Sequence, residues 1–249
     1  MFGIHFKHSL IKSGILHGAT DIHCHVLPGV DDGSPDMEHS HDLLLFLEQT
    51  MGYSRVWLTP HVMQGLDNDS QKLRRQFEMF CQAQNSQLKL CLAAEYMMDA
   101  EFSQRLHAAP LPLGNGHLLV ETSYMSAPLG GLDNLLLDVW RTGLTPIIAH
   151  PERYMYMDEA DYHRLRDKGY EFQLNLLSLS GYYGGRPKVV AERLLQIDAY
   201  DYVGSDLHHV ERFERFLTNM KLTREQLDSI AQLLDNNKQL TDETPQAQS

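Results

Sequence analysis

Short apolar runs alternate with longer amphipathic stretches along almost the whole chain, and this alternation constrains the fold most. Seven runs have the length and composition of strands, at 20–25, 55–60, 88–95, 117–122, 145–149, 170–176 and 201–206. Helical patterns lie at 36–51, 69–84, 99–107, 131–142, 158–168 and 187–198, with two more near 210–220 and 223–238. Such alternation predicts a mostly parallel sheet.

Seven strands with helices outside them predict an α/β fold that closes into a barrel. An open dinucleotide-binding sheet is disfavoured, because no GxGxxG turn follows the first strand. The chain has 249 residues, of which 43% are hydrophobic, which suits one core. We therefore expect a single barrel domain at 20–240, an N-terminal extension at 1–19 and a disordered polar tail at 241–249.

Charge and composition limit which partners and which cellular location we expect for the protein. The formal net charge is −12, which disfavours nucleic acid. No segment has the roughly 20 apolar residues of a membrane helix. The three cysteines form no CxxC pair, so we expect a cytoplasmic protein without membrane insertion. The extension is compatible with a short amphipathic helix that covers the barrel or meets a partner.

Histidines and acidic residues recur where the predicted strands end. These residues are His23, His25, Asp32, His61, Glu95, Glu121, His150, Asp206 and His208. In a barrel of parallel strands all carboxyl ends open onto one face, so residues far apart in sequence converge. Residues two apart in a strand point the same way, so His23 and His25 should face one centre and Cys24 the opposite side.

Five imidazoles and four carboxylates without a thiolate are typical of Mn²⁺, Fe²⁺ or Zn²⁺ sites. Nine ligands are too many for one ion and fit two or three, and we favour Mn²⁺. Arg153 follows His150 by three residues, and its guanidinium could grip phosphate oxygens or merely pair with Glu152 or Asp158. Arg212 is a second, weaker phosphate-binding candidate.

These residues resemble the PHP (polymerase and histidinol phosphatase) superfamily, and within it the manganese-dependent tyrosine-protein phosphatases of bacterial capsule and exopolysaccharide operons. The segments that carry the resemblance include DIHCHVLPGVDDG (21–33), TPH (59–61), AAEYM (93–97), LLVETS (118–123), IIAHPERY (147–154), LNLLSLSGYYG (174–184) and VGSDLHH (203–209). The resemblance spans about Thr20 to Leu217. It implies a distorted (β/α)7 TIM-like barrel, the PHP fold.

The resemblance also implies how the ligands are divided among three ions. One ion would take His23, His25, Glu95 and Asp206; a second would share Glu95 and add Glu121 and His150; the third would take Asp32, His61 and His208. Arg153 and, less securely, Arg212 match the arginines of the family that bind phosphate.

In function, the resemblance implies hydrolysis of phosphotyrosine by a metal-activated water, on the tail of a bacterial tyrosine autokinase that controls polysaccharide export. No cysteine is followed six residues later by arginine, so the residues give no support to a cysteine-dependent phosphatase. Two alternatives stay open: another PHP phosphomonoesterase, such as a histidinol or small-molecule phosphatase, and a non-catalytic metal-binding scaffold of the kinase.

Overall fold

The computed structural model describes residues 6–114 and 116–241. The predicted disordered tail lies outside these residues except for Thr241. The strands are β1 His8–Ser9, β2 Thr20–Cys24, β3 Arg55–Leu58, β4 His61–Val62, β5 Lys89–Leu92, β6 Glu95–Met97, β7 His117–Glu121, β8 Thr145–Ala149, β9 Glu171–Asn175, β10 Tyr202–Gly204 and β11 Lys221–Leu222. All seven predicted strand segments are present, and two of them are interrupted, so that β3 and β4, and β5 and β6, are separate pieces.

The helices occupy the predicted stretches to within a few residues. They are α1 Leu10–Ser13, α2 Met37–Leu45, α3 Ser70–Ala83, α4 Phe102–Leu106, α5 Leu132–Arg141, α6 Glu159–Asp167, α7 Gly185–Gln196, α8 Val210–Asn219 and α9 Arg224–Asn237. A π-helical segment, Phe46–Thr50, continues α2, and 3-10 turns lie at Pro151–Arg153 and Leu176–Ser180. Side chains cap the helix starts: Asp69 accepts from the Lys72 backbone nitrogen, and Thr223 forms a capping box with Gln226.

The strands form a mixed α/β fold with parallel sheets. One sheet has six parallel strands in the order β10-β9-β8-β7-β6-β4, and another has three in the order β2-β3-β5. The chain passes between the two sheets within 55–62 and again within 89–97. At the other side, Leu207 after β10 forms an isolated parallel bridge with Cys24 of β2.

Two apolar clusters lie on the two sides of these strands. The larger one packs the helices against the strands. The smaller one lies on the other side of the strands and contains Ile22, Trp57, Cys91, Ala93, Leu113, Leu119, Ile147, Ala149, Tyr202 and Leu240. Leu240, which follows α9, is fully buried in it. The strands are therefore apolar on both faces, which parallel sheets covered by helices require.

The described part of the N-terminal extension is built into the fold. β1 pairs antiparallel with β11, so that His8 lies opposite Leu222. The single-turn helix α1 packs on α8, and its Leu10 is fully buried. None of the described helices combines the length and hydrophobicity that a bilayer span requires.

Candidate metal centre

The first long strand ends in two histidines that face one centre, as their two-residue spacing predicts. The Nε2 atoms of His23 and His25 are 3.2 Å apart. Cys24 packs into the helix-covered cluster, and its thiol donates to the Trp57 carbonyl. The pairing of β2 with β3 shifts register between Asp21 and Cys24, an irregularity of the kind that re-aims side chains near active sites.

Two glycines give the histidine pair room. A Cβ at Gly33 would lie 2.2 Å from the His25 carbonyl oxygen. A Cβ at Gly204 would lie 2.6 Å from the His23 Cβ. Only glycine fits at either position, because such distances are far inside van der Waals contact.

Two further candidate ligands hold a left-handed backbone. His150 has φ 35° and Asp206 has φ 53°, in the region that side chains disfavour. Their backbone nitrogens are fixed by the neighbouring strands, His150 on the Gln173 carbonyl at 2.9 Å and Asp206 on the His23 carbonyl at 2.7 Å. Strain of this kind costs about 1–3 kcal/mol and is concentrated at functional sites.

Glu95, at the start of β6, lies at the middle of the cluster. Its Oε2 is 3.1 Å from His23 Nε2, 3.4 Å from His25 Nε2 and 3.2 Å from His61 Nδ1. Its Oε1 is 3.1 Å from His150 Nε2. One carboxylate therefore touches the imidazoles from four different positions of the chain.

A second group of candidate ligands lies nearer to solvent. Asp32 Oδ1 is 3.4 Å from His61 Nε2 and 3.3 Å from His208 Nε2. The Asp32 side chain is 74% exposed, so this group opens to water. His61 joins the two groups, because its Nδ1 is also 3.1 Å from Glu121 Oε1. The structure thus brings together all nine residues that the sequence singles out.

The donor set fits divalent metal ions. Four groups have ligand atoms within 4.8 Å of one another: His25, Asp32, His61 and His208; His23, His25 and Glu95; His23, His150 and Asp206; and His61, Glu95 and Glu121. Within the described residues, the buried His61 Nδ1, Glu95 Oε2 and His150 Nδ1 make no hydrogen bond. His61 Nδ1 and Glu95 Oε2 nevertheless approach to 3.2 Å, so the two atoms converge without satisfying each other. A cation between such atoms would satisfy both of them.

The pKa shifts in the cluster also favour positive charge beside the carboxylates. Burial lowers the pKa of His23, but the carboxylates of Glu95 and Asp206 raise it more, so its net pKa is raised. Burial and the neighbouring His25 lower the pKa of His61, but the carboxylates of Glu121 and Glu95 raise it more, to about 9. Burial raises the pKa of Glu95, yet the surrounding imidazoles hold it well below the usual value. The carboxylates therefore stay ionised and need positive charge beside them, as protons on imidazole or as metal ions.

Two buried groups that the sequence analysis did not identify orient the histidine pair. Gln173 Oε1 lies 2.9 Å from His23 Nδ1, and Asp31 Oδ2 lies 2.8 Å from His25 Nδ1. Asp31 also accepts from the His61 backbone nitrogen at 3.0 Å. Each partner holds Nδ1 and leaves Nε2 for the centre, as the supporting partners of metal-binding histidines do. The sequence signal for Gln173 was a glutamine inside the predicted strand 170–176.

The Asp206 carboxylate has two differently occupied oxygens. Oδ2 accepts from Arg153 Nη1 at 2.6 Å, from Asn175 Nδ2 at 2.9 Å and from the Tyr183 hydroxyl at 3.3 Å. Oδ1 faces the imidazoles, 3.4 Å from the Nε2 atoms of both histidines of the pair. The neighbours of Asp206 therefore turn one oxygen towards the ligand cluster.

Arg153 lies at the edge of the cluster, between two aromatic rings. Its Cζ is 4.2 Å from the ring centre of Tyr124 and 4.1 Å from that of Tyr183. Its Nη2 donates to the Tyr124 hydroxyl at 2.6 Å. Arg153 forms an ion pair with Asp206. The buried carboxylate of Glu152, the alternative partner, accepts a hydrogen bond from Ser178. A planar guanidinium held this way is pre-oriented for a bidentate contact.

A pocket of about 220 Å³ opens over the cluster. Beside candidate ligands and Arg153, it is lined by Tyr124, Tyr182, Tyr183, His209 and Phe213. Neither Tyr124 nor His209 is among the residues that the sequence pattern singles out. Their positions depend on loop conformation, which hydrophobic periodicity does not report.

Arg212 lies outside this lining, on α8. Its Nη2 donates to the Tyr182 carbonyl at 3.4 Å, and its Cζ is 4.6 Å from the Tyr182 ring centre. It therefore reaches the pocket through Tyr182. A direct phosphate contact from Arg212 stays a prediction.

Comparisons with known proteins agree with this geometry. The sequence model of the family described as "Capsular polysaccharide synthesis, CpsB/CapC" matches residues 19–237. Tyrosine-protein phosphatase YwqE of Bacillus subtilis is 29% identical over 200 residues, which cover 77% of this chain and 78% of that protein. Tyrosine-protein phosphatase CpsB of Streptococcus pneumoniae is 28% identical over 208 residues, which cover 77% of this chain and 83% of that protein.

A solved structure from crystallographic work on YwqE and CpsB superposes with a TM-score of 0.71 and 26% identity. It covers 87% of this chain and 94% of that one, and the two proteins are described there as unique metal-dependent tyrosine phosphatases. The chain is thus similar to these phosphatases over most of its length, and the range matched by the family model includes every candidate ligand.

Proposed function

The chain belongs to the capsular polysaccharide synthesis family CpsB/CapC, and from that membership we propose that it is a metal-dependent protein-tyrosine phosphatase. Its substrate is a phosphotyrosyl protein, namely the tail of a bacterial tyrosine autokinase of capsule or exopolysaccharide export. The observation that carries the proposal is the convergence of four imidazoles on the buried Glu95 carboxylate beside Arg153 and an aromatic pocket.

Two or three divalent ions, most simply Mn²⁺, fit the donors. His23, His25, Glu95, Asp206, His150 and Glu121 would hold the buried ions, and Asp32, His61 and His208 the ion nearer to solvent. When bound, such ions polarise phosphoryl oxygens and lower the pKa of a water molecule, which makes hydrolysis possible without a covalent phosphoenzyme. Gln173 and Asp31 keep the ligand nitrogens of the histidine pair directed at the centre.

Arg153 binds the phosphoryl group of the substrate. Its guanidinium is half-buried between Tyr124 and Tyr183, where a charge-assisted hydrogen bond is stronger than in water. Because the charge is fixed in place before substrate arrives, little reorganisation is needed as negative charge accumulates on the transferring group. Arg212, held against Tyr182, can supply a second contact at the rim.

The aromatic wall supports an aryl phosphate ester as substrate. Tyr124, Tyr182, Tyr183 and Phe213 surround the pocket that leads to the candidate ligands. A phosphotyrosine ring can stack on such side chains, whereas a small sugar phosphate gains less from them. The leaving phenolate also has a pKa near 10, so it needs less protonation than an alkoxide.

The architecture suits this site. We assign the two sheets to one distorted (β/α)7 barrel in a single domain at 20–240, because together they supply seven parallel strand positions and meet at the Cys24–Leu207 bridge. All the candidate ligands then lie at or just beyond the carboxyl ends of strands, where barrels of this kind place their active sites. A cytoplasmic reaction is compatible with the cysteines, which the structure describes as thiols.

Activity after metal removal tests the function. The protein is stripped with a chelator, Mn²⁺ is restored, and phosphate release is measured from a phosphotyrosyl peptide and, side by side, from histidinol phosphate. We expect Mn²⁺ to restore turnover on the peptide with a clear preference over histidinol phosphate.

Two results would contradict this assignment in different ways. Faster hydrolysis of histidinol phosphate would make the chain a small-molecule phosphatase with the same centre. Tight Mn²⁺ binding without turnover on any phosphomonoester would make it a non-catalytic scaffold.

A further inference from the structure

A second pocket, of about 400 Å³, lies on the outside of the fold and is strongly basic. Four cationic side chains line it: Lys7, Lys188, Arg215 and Lys221. Leu179, Phe216 and Met220 form its apolar part, and its lining includes no carboxylate from the described residues. We call this set of residues the basic pocket. It stands out because the whole chain has a formal net charge of −12.

The charge of the basic pocket is mostly not neutralised within the protein. Lys188 donates to Glu192 at 2.6 Å and to the Leu179 carbonyl at 2.7 Å, so its charge is partly used. Within residues 6–114 and 116–241, no ion pair is recorded for Lys7, Arg215 or Lys221, and these three are exposed. Like charges held close together repel each other, so an anionic partner would gain affinity by relieving that repulsion.

The basic pocket is continuous with the rim of the metal centre. Phe216 lines the basic pocket, and its ring centre is 5.2 Å from that of Tyr182, which lines the pocket over the metal centre. Arg212 packs against both rings of this contact. Its Cζ is 4.6 Å from the Tyr182 ring centre and 5.9 Å from that of Phe216. Arg212 and Arg215 are three residues apart on α8, so both lie on one side of that helix.

We propose that the basic pocket, reached from the metal centre along Arg212 and Arg215, is a docking surface for an acidic stretch of the phosphotyrosyl polypeptide. The proposal rests on the proposed function for its substrate class. An extended peptide advances about 3.4 Å per residue, so the acidic residues would lie a few positions from the phosphotyrosine. Backbone and apolar side chains of the peptide would pack on Phe216 and Met220.

Charge explains why this surface would matter for selection of a substrate. An acidic polypeptide is repelled by a protein of net charge −12 everywhere except at a basic surface. A basic surface beside the reaction centre therefore steers such a polypeptide into a productive orientation and disfavours neutral ones. It also accounts for Arg212, which the structure places between the two pockets.

Kinetics on three substrates test the docking. The substrates are a phosphotyrosyl peptide with glutamates on one flank, the same peptide with glutamines instead, and p-nitrophenyl phosphate. We expect the Mn²⁺-loaded wild type to prefer the acidic peptide, mainly through KM, with a preference that falls as NaCl is raised. The double variant Arg215→Gln, Lys221→Gln should lose about five-fold in kcat/KM on the acidic peptide alone.

A matched control separates docking from a general loss of positive charge. Arg75 is an exposed arginine on α3, in a different part of the fold, and Arg75→Gln should leave all three rates unchanged. Fluorescence anisotropy of a labelled, unphosphorylated acidic peptide measures docking without catalysis. Its affinity should fall in the double variant and not in the control.

The outcomes distinguish docking from the proposed function. Equal kcat/KM on the acidic and glutamine peptides in the wild type, with equal anisotropy in the double variant, would overturn the docking surface and leave the phosphatase intact. Acidic-peptide binding that depends on Arg215 and Lys221, without turnover on any substrate, would keep the surface and overturn the phosphatase. Loss of binding to phosphatidylglycerol vesicles in the double variant, with peptide binding unchanged, would reassign the surface to anionic lipid.

Discussion

The two ends of the parallel strands differ in how their charged and polar groups are paired. At the amino end, half-buried charges meet complementary partners: Asp201 accepts from both terminal nitrogens of Arg166 and from the Phe172 backbone nitrogen. Asn237 of α9 donates to the Thr20 and Val203 carbonyls at 2.9 and 2.6 Å and accepts from the Val203 nitrogen at 3.2 Å. These groups are satisfied by hydrogen bonds within the chain, and the buried Glu171 Oε2, which makes no hydrogen bond to a described residue, faces a single imidazole, 3.2 Å from His117 Nε2.

At the carboxyl end, nitrogen and oxygen lone pairs converge instead. Glu95 Oε2 faces several imidazole nitrogens and makes no hydrogen bond to any described residue. His150 and Asp206 hold strained backbone there. The amino end is therefore organised for stability, whereas the carboxyl end gathers groups that are able to hold cations.

The largest effect should come from Glu95→Gln, which keeps the shape of the central side chain but removes its charge. We expect kcat/KM on a phosphotyrosyl peptide to fall by about 10³-fold, because the shared ligand of the cluster is weakened. The variant should stay folded by circular dichroism, and its melting temperature should no longer respond to Mn²⁺ as that of the wild type does.

Glu152→Gln is the matched control for this substitution. Glu152 is also a fully buried glutamate, but its oxygens accept from Ser178 and from the Asn175 backbone nitrogen, and burial raises its pKa. We expect near wild-type turnover from it. Equal losses in the two variants would mean that burial, and not the metal centre, explains the effect.

Arg153→Lys should have the next largest effect. Lysine keeps the charge but loses the planar fork that lies between Tyr124 and Tyr183, so we expect about a 10²-fold loss in kcat/KM. Steady-state kinetics with p-nitrophenyl phosphate would measure it. Turnover as fast as wild type would remove Arg153 from phosphate binding and leave it with a structural role at Asp206.

Asn237→Ala tests the amino end. The substitution removes the buried partner of the Thr20 carbonyl, the Val203 carbonyl and the Val203 N–H. We therefore expect a loss of about 2–3 kcal/mol in the free energy of unfolding. Urea denaturation measures this loss, while turnover per folded molecule should not change.

Asn236→Ala is the graded control, because among the described residues the Asn236 side chain makes one part-buried bond, to the Asp201 carbonyl at 2.8 Å. It should cost clearly less than Asn237→Ala. A large loss of activity per folded molecule in Asn237→Ala would break the division of roles between the two strand ends.

The smallest effect concerns His117, at the start of β7, whose Nε2 is 3.2 Å from Glu171 Oε2. Burial lowers the pKa of His117, but Glu171 raises it more, so the folded pKa lies above 6.5. The pair therefore stabilises the fold fully below pH 6.5 and loses its contribution as pH rises through the folded pKa.

We expect the difference in unfolding free energy between wild type and His117→Gln to be less than about 1 kcal/mol at low pH and to shrink as pH rises. The difference between the two proteins removes the titration of the other histidines. A difference that grows with pH would show that this pair does not stabilise the folded state.

The sequence predicted the elements and the nine clustered residues well, for a physical reason. Strand and helix periodicities differ, and polar residues that end apolar strands have few structural explanations. His150 and Asp206 were found this way although their left-handed backbone was not foreseen. Such strain depends on neighbouring strands and leaves no local pattern.

The missing residues are those whose roles depend on tertiary contacts. Asp31 was not singled out by the sequence pattern, and only the fold places its carboxylate on His25. Tyr124 and Tyr183 come from loops, and the stacking on Arg153 joins parts of the chain that no periodicity connects. The interruption of the third strand was equally invisible, since Ala93 and Ala94 continue its apolar pattern, whereas Pro60 lies at the break in the second strand and cannot donate to a ladder.

Anomalous X-ray scattering from a crystal grown with Mn²⁺ tests the central claim, that cations complete the carboxyl end of the strands. We expect two or three anomalous peaks among the nine residues, with Glu95 as a ligand of more than one ion. A crystal grown at saturating Mn²⁺ that shows no anomalous peak within coordinating distance of Glu95 would contradict the claim that cations complete this end of the strands.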